Sequence, residues 1–191
     1  MQFIDFIRLD VENLIQSEYP VYFYWDRMKS INHPYIVYQT EDLELPHKLD
    51  ANYCRLLDNA VTVYDYSIMN SVYKNFEFKP LLPNLDSSFH NNKTEIDILF
   101  YGLMTPRRQH IIQKLNLNVY AVDSLTLDEL KDLIIKSKWV LSIGSESNIH
   151  NDLLRVTPAL NLGANIILEH TQEIWYDKYL KNHFKNRIKF I

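Results

Sequence analysis

Residues able to do chemistry cluster where apolar runs end. Phe100-Tyr101-Gly102-Leu103-Met104-Thr105-Pro106-Arg107-Arg108 joins an apolar run to a helix start, with two arginines in the first turn. Cations at that end of a helix oppose its dipole unless an anion sits nearby. A phosphate fits such a place, because the first turn leaves N–H groups free and a guanidinium reaches two phosphate oxygens. The bland alternative is a pair of solvated arginines and a glycine that only eases a turn. His150-Asn151-Asp152-Leu153-Leu154-Arg155 sets Asp152 and Arg155 three apart, on one helical face. Asp152 near a helix start could accept the two hydroxyls of a ribose, or simply form a surface ion pair with Arg155 worth about 0.3–0.5 kcal/mol. Glu169 ends the run Ala164–Leu168, and Ser145 follows the run ending at Ile143.

Other chemistries find no support. The histidines lack metal-ligand spacing, and Cys54 is a lone thiol. No Asp-x-Asp pair, P-loop, Gly-x-Ser-x-Gly elbow or Gly-x-Gly-x-x-Gly occurs, and the 3 glycines are Gly102, Gly144 and Gly163. No metal site and no resident cofactor are expected.

The elements that must position these residues alternate. Before residue 84, strands are read at Val21–Trp25, Tyr35–Gln39 and Val61–Tyr64, and helices at Val11–Ser17, Ala51–Asn59 and Ser67–Asn75. After residue 94, strands are read at Ile96–Tyr101, Val119–Val122, Trp139–Ile143, Ala164–Leu168 and Ile188–Ile191. Helices there cover Pro106–Leu115 (N-cap Thr105), Thr126–Ser137 (a capping-box sequence), Asn151–Leu162 (closed by Gly163) and Trp175–Lys181. Residues 84–94, rich in Asn and Ser, read as a linker between a half at 1–83 and a half at 95–191. The fold class is therefore α/β, two small Rossmann-like halves with parallel sheets. Ligands of such sheets bind at the carboxyl ends of strands. Those ends carry Gln39-Thr40-Glu41, Asp65-Tyr66-Ser67, Gly102, Gly144-Ser145 and Glu169-His170.

The 191 residues are 47% hydrophobic and 23% charged, as in globular proteins, with a net charge of -4. That balance argues against a nucleic-acid partner. No run reaches the roughly 20 apolar residues of a membrane span, no signal peptide is evident, and a single cysteine suits a reducing compartment, so a cytoplasmic location is expected. The Tyr-rich composition, 13 in all, is assigned no function.

Four segments, in order, resemble the CgeB-like glycosyltransferases of the GT-B type. Tyr35-Ile36-Val37-Tyr38-Gln39-Thr40-Glu41 is similar to the family's strand ending in Thr-Glu. Val63-Tyr64-Asp65-Tyr66-Ser67-Ile68-Met69-Asn70 resembles its Trp-Asp-Tyr-Ser-x-x-Asn motif, with Tyr64 in place of tryptophan. Ile98–Gly102 with Arg107-Arg108 resembles its Leu-Phe-Tyr-Gly strand and arginine pair. Asp152-x-x-Arg155, Gly163 and Leu168-Glu169 resemble its Glu-x-x-Arg, Gly and Ser-Glu series, with aspartate for the first glutamate.

The resemblance implies an abbreviated GT-B-like architecture and a metal-independent transferase. Its donor would be a nucleotide-sugar and its acceptor a glycan, protein or small molecule. Gly102, Arg107 and Arg108 would then lie by the donor diphosphate, Asp152, Arg155 and Glu169 by the nucleoside or sugar, and Glu41 and Asp65 on the acceptor side, Glu41 as general base. Two other expectations stand beside it. One is a non-catalytic nucleotide- or partner-binding module on a degenerate transferase fold, favoured by the small first half and the lack of a returning helix after Ile191. The other is an α/β signalling domain, which leaves the arginines after Gly102 unexplained.

Overall fold

The computed structural model describes residues 3–40, 49–71, 76–86, 95–144 and 152–191. The chain forms two compact units, Arg8–Leu81 and Leu82–Ile191, with Met1–Ile7 grouped in the second. Both are α/β, each with a wholly parallel sheet.

Helix α1 (Phe3–Ile15) opens the chain. Ile7, Val11 and Ile15 recur every fourth residue and are buried, so the apolar stripe begins a turn before Val11. The helix accordingly starts eight residues earlier than the expected Val11. Gln16, at φ 49°, ends it.

In the first unit the strands are β1 (Val21–Tyr22), β2 (Ile36–Gln39), β3 (Thr62–Asp65) and β4 (Glu77–Phe78), lying side by side in that order. The strand expected through Trp25 stops at Tyr22. Asp26 is the cause: its carboxylate accepts the Phe23 N–H at 3.0 Å, and its own N–H reaches the Phe23 carbonyl at 2.9 Å. That closes Tyr24–Asp26 into a 3₁₀ turn. Asp26 is buried, and Arg8 (2.9 Å) and Lys29 (2.5 Å) balance its charge. Strand β4 has two residues, too few for any alternation to reveal. Helix α2 (Ala51–Asp58) is capped by Asp50, which accepts the Tyr53 N–H at 2.8 Å. Its Tyr53, Leu56 and Leu57 pack on Tyr35 and Val37. Helix α3 (Ile68–Ser71) starts within the expected Ser67–Asn75, whose residues 72–75 lie outside the described ones.

The tyrosines have structural work here. Buried phenols need hydrogen-bond partners. Tyr35 donates to the Leu56 carbonyl (2.9 Å), Tyr38 to the Lys79 carbonyl (2.8 Å) and Tyr53 to Gln39 Oε1 (3.1 Å). Each ties a strand or helix to another element while filling the core.

In the second unit the strands are β5 (Ile96–Tyr101), β6 (Tyr120–Val122), β7 (Ser137–Ser142), β8 (Asn165–Leu168) and β9 (Ile188–Phe190). They lie in the order β6-β5-β7-β8-β9. The helices between them are α4 (Pro106–Lys114), α5 (Leu127–Lys136), α6 (Leu153–Asn161) and α7 (Ile174–His183). The sheet is buried on both faces, as a parallel sheet under helical cover must be. Leu99, Tyr101, Val140, Ile166 and Leu168 belong to one core, and Phe100, Leu141 and Ile167 to the other. Helix α6 ends in a Schellman turn. Gly163, at φ +87°, lets its own N–H reach the Leu160 carbonyl and the Ala164 N–H the Ala159 carbonyl, both at 3.0 Å.

Candidate functional site

The strand order of the second unit reverses between β5 and β7. Chain leaving β5 goes to one side, to β6, and the rest of the sheet is built on the other. Crevices at such reversals are where open α/β sheets hold ligands. The loops that leave β5 and β7 carry Gly102 and Gly144, and five residues singled out from the sequence gather around them.

Gly102 stands first after β5 with φ +116°, a conformation side chains disfavour. Its N–H binds the Val122 carbonyl at 2.9 Å. A Cβ at this position would lie 3.3 Å from a terminal nitrogen of Arg155. Glycine thus serves both the turn and the close approach of a guanidinium.

Thr105 caps α4, accepting the Arg108 N–H at 3.3 Å, and Pro106 occupies the first turn. Arg107 and Arg108 then diverge, since successive helical positions point about 100° apart. Arg108 turns inward and is 7% exposed. Its Nε donates to the Ile143 carbonyl (2.9 Å) and a terminal nitrogen to the Leu103 carbonyl (2.6 Å), with the guanidinium 5.2 Å from the Phe100 ring centre. Burial, and next the neighbouring Arg155 charge, push its pKa down to about 10. Arg108 therefore pins the loops after β5 and β7 together, an arrangement different from an arginine standing free for a phosphate.

Arg107 points the other way. One terminal nitrogen donates to the Gly144 carbonyl and to Glu169 Oε2, both at 3.0 Å, and the second donates to Glu169 Oε1. Glu169 also accepts the Gly144 N–H at 3.2 Å. The pair closes a fork across the ends of β7 and β8, with 27% of Arg107 and 19% of Glu169 exposed.

Asp152 stands at the start of α6 but does not cap it with its side chain. Its carboxylate accepts from the Ser142 hydroxyl and from Arg155. Arg155 lies 5.5 Å from the Phe100 ring centre and 5.7 Å from that of Tyr101, and its backbone carbonyl accepts the Tyr101 hydroxyl at 2.9 Å. Burial raises the pKa of that phenol. The Arg155 Nε is enclosed and has no hydrogen-bond partner among the described residues. Among the described residues, three guanidinium groups thus meet the carboxylates of Asp152 and Glu169 along one strand-end edge, and guanidinium groups gathered in this way suit an anion.

Other expected residues fall elsewhere. Ser145 and Glu41 lie outside the described residues, as do His150 and Asn151. Asp65, at the carboxyl end of β3, is fully buried. It accepts from the Gln39 amide (3.0 Å), the Ser67 N–H (2.8 Å) and the Asn70 amide (3.3 Å). Its carboxylate is enclosed among these donors.

One pair was missed by reading the histidines only for metal spacing. His170, directly after Glu169, has Nδ1 at 2.7 Å from Asp177 Oδ2, and its ring stacks on Phe190 at 4.7 Å. Asp177 is itself held by the Thr171 hydroxyl at 3.0 Å. A carboxylate seven residues after a strand-end histidine, in the first turn of the next helix, was the available signal.

Among the described residues no group of three His, Cys, Asp or Glu is placed to hold a metal, and no helix is long and apolar enough to cross a membrane. Comparison with family models, curated proteins and solved structures finds no match to this chain.

Proposed function

We propose that the second unit binds the diphosphate of a nucleotide-sugar, and that the chain is a metal-independent glycosyltransferase acting on a glycan, protein or small-molecule acceptor. The observation that carries this reading is the gathering of Arg107, Arg108 and Arg155 at the loops of Gly102 and Gly144, at the strand-order reversal. Arg107 is the mobile partner in this scheme. Its fork matches a phosphate as well as a carboxylate, so an entering diphosphate displaces Glu169 and frees that carboxylate for a sugar or ribose hydroxyl. Arg108 contributes charge from behind, and Arg155 is held in place by Asp152. Fixed positive charge of this kind stabilises a departing nucleoside diphosphate without a metal. Glu41 is the general base in this reading.

Calorimetric titration with UDP, GDP, ADP and TDP in the presence of a chelator tests it. At least one should bind, and Arg107→Ala should weaken it at least tenfold, since a charged hydrogen bond contributes about 1.5–3 kcal/mol. Failure of all four, or unchanged affinity in the variant, removes the diphosphate assignment.

A non-catalytic module is the second reading, favoured by the Arg107–Glu169 pair, which already fills the arginine fork, and by the enclosure of Asp65. It predicts diphosphate binding with neither donor hydrolysis nor transfer.

A further inference from the structure

The first unit contains a half-open cavity of about 630 Å³, lined largely by exposed residues, at the amino ends of β2 and β3, the opposite end of these strands from Asp65. Tyr35 and Val61, which immediately precede β2 and β3, form its floor, and residues 27–34 form one wall. The other wall is one face of α2, where Asn52, Arg55, Leu56 and Asn59 follow helical spacing. Every lining residue lies within Arg8–Leu81.

Its chemistry departs from that of the chain. The protein carries a net charge of -4, yet Arg27, Lys29 and Arg55 line this cavity, and among the described residues no carboxylate does. Two of the cations have partners outside the lining: Arg27 pairs with Asp50 at 2.8 Å and Lys29 with Asp26 at 2.5 Å. Arg27 is further fixed by lying 3.9 Å from the Tyr24 ring centre. Among the described residues the Arg55 guanidinium has no ion pair or hydrogen bond. Its charge is felt by the Tyr35 phenol, whose pKa burial raises and Arg55 lowers. Asn32, Asn52 and Asn59 add amides; Asn52 donates one N–H to the Met28 sulfur (3.2 Å) and Asn59 one to the Arg55 carbonyl (2.7 Å), and an amide's second N–H and its oxygen suit vicinal hydroxyls.

We infer that this cavity is a binding site for a small phosphorylated sugar, with Arg55 on the phosphate and the asparagine amides on the hydroxyls. The volume falls within the range of small-molecule sites, roughly 300–1,000 Å³. The site owes nothing to the nucleotide reading, because none of its residues belongs to the second unit.

The test is titration of the full chain with glucose 6-phosphate, glucose and inorganic phosphate, followed by NMR of the asparagine side-chain amides. Glucose 6-phosphate should bind saturably and shift the Asn52 and Asn59 amides, while the other two bind at least tenfold more weakly. Arg55→Gln should weaken the sugar phosphate at least tenfold. Its fold should survive, as the side chain is exposed and unbonded, and circular dichroism checks that. Arg107→Ala should leave the amide shifts in place. The inference is overturned if glucose 6-phosphate fails to bind, if glucose or phosphate alone binds as tightly, if Arg55→Gln has no effect, or if Arg107→Ala removes the shifts.

Discussion

Arg107 and Glu169, 62 positions apart in sequence, meet as a two-pronged ion pair across the ends of β7 and β8. The pair occupies the same donors that a phosphate would need. It is therefore both a latch on the strand ends and a competitor for any anion.

That competition has a measurable sign. Glu169→Gln keeps the shape and removes the charge. Inorganic pyrophosphate, which has no ribose to lose a contact, should then bind more tightly, by threefold or more. The same variant should lower stability by about 1 kcal/mol as the charged hydrogen bonds weaken. Unchanged or weaker pyrophosphate binding would show that Glu169 does not guard the arginine.

Gly102 offers a second check on the same edge. Alanine there meets two penalties: a φ of +116° and a Cβ 3.3 Å from Arg155. Backbone strain of this kind costs about 1–3 kcal/mol. Urea denaturation of Gly102→Ala should show a loss in that range. In the Arg155→Ala background the loss should shrink only partly, because removing the guanidinium relieves the contact and leaves the φ. A change within about 0.5 kcal/mol would put Gly102 among ordinary surface positions.

Much of this edge was legible in sequence, and the reasons are local. β5 was readable because Ile96–Tyr101 is an unbroken apolar run but for Asp97, and α5 because Thr126 and Glu129 form the capping box that the structure contains. The carboxyl-end rule then picked out Gly102 and Glu169, and the three-residue spacing on one helical face picked out Asp152 and Arg155. What could not be read is how those groups answer one another. A dipeptide Arg107-Arg108 gives no sign that one member is buried on backbone carbonyls and the other paired to the residue that follows β8. Those partners are set by strand order, and β6-β5-β7-β8-β9 is a tertiary fact.

The structural role of Asp65 was hidden for a different reason, and it yields a third prediction. Its bond to the Ser67 N–H is an Asx turn, so Asp-x-Ser signals a chain reversal before it signals catalysis. Asp65→Ala would remove a charged acceptor from the Gln39 and Asn70 amides, both fully buried. A loss of about 3 kcal/mol is expected by denaturant titration, since each hydrogen bond to a charged group is worth about 1.5–3 kcal/mol. A normally stable Asp65→Ala protein would instead return this carboxylate to the list of reacting groups.

The capping box of α5 gives a prediction in pH. The Thr126 N–H (2.8 Å) and hydroxyl (2.7 Å) hold the Glu129 carboxyl below its ordinary 4.5, the backbone bond contributing most. A carboxyl lowered by folding stabilises the fold fully above its unfolded value and loses that contribution as pH falls through the lower, folded value. Asp50, lowered first by the Tyr53 N–H and then by Arg27, behaves with the same sign. A bare acid titration therefore mixes the two. Subtracting a variant isolates one of them, and Glu129→Gln is suitable because its amide oxygen still caps but does not titrate. The difference in urea midpoint between the parent and Glu129→Gln should be constant near neutrality and shift against the parent below about pH 4.5. Thr126→Val, which removes the hydroxyl and leaves the backbone bond, should reduce that shift without abolishing it. Parallel midpoints down to about pH 3 would mean that Glu129 titrates alike folded and unfolded, and that the box contributes no charge-dependent stability.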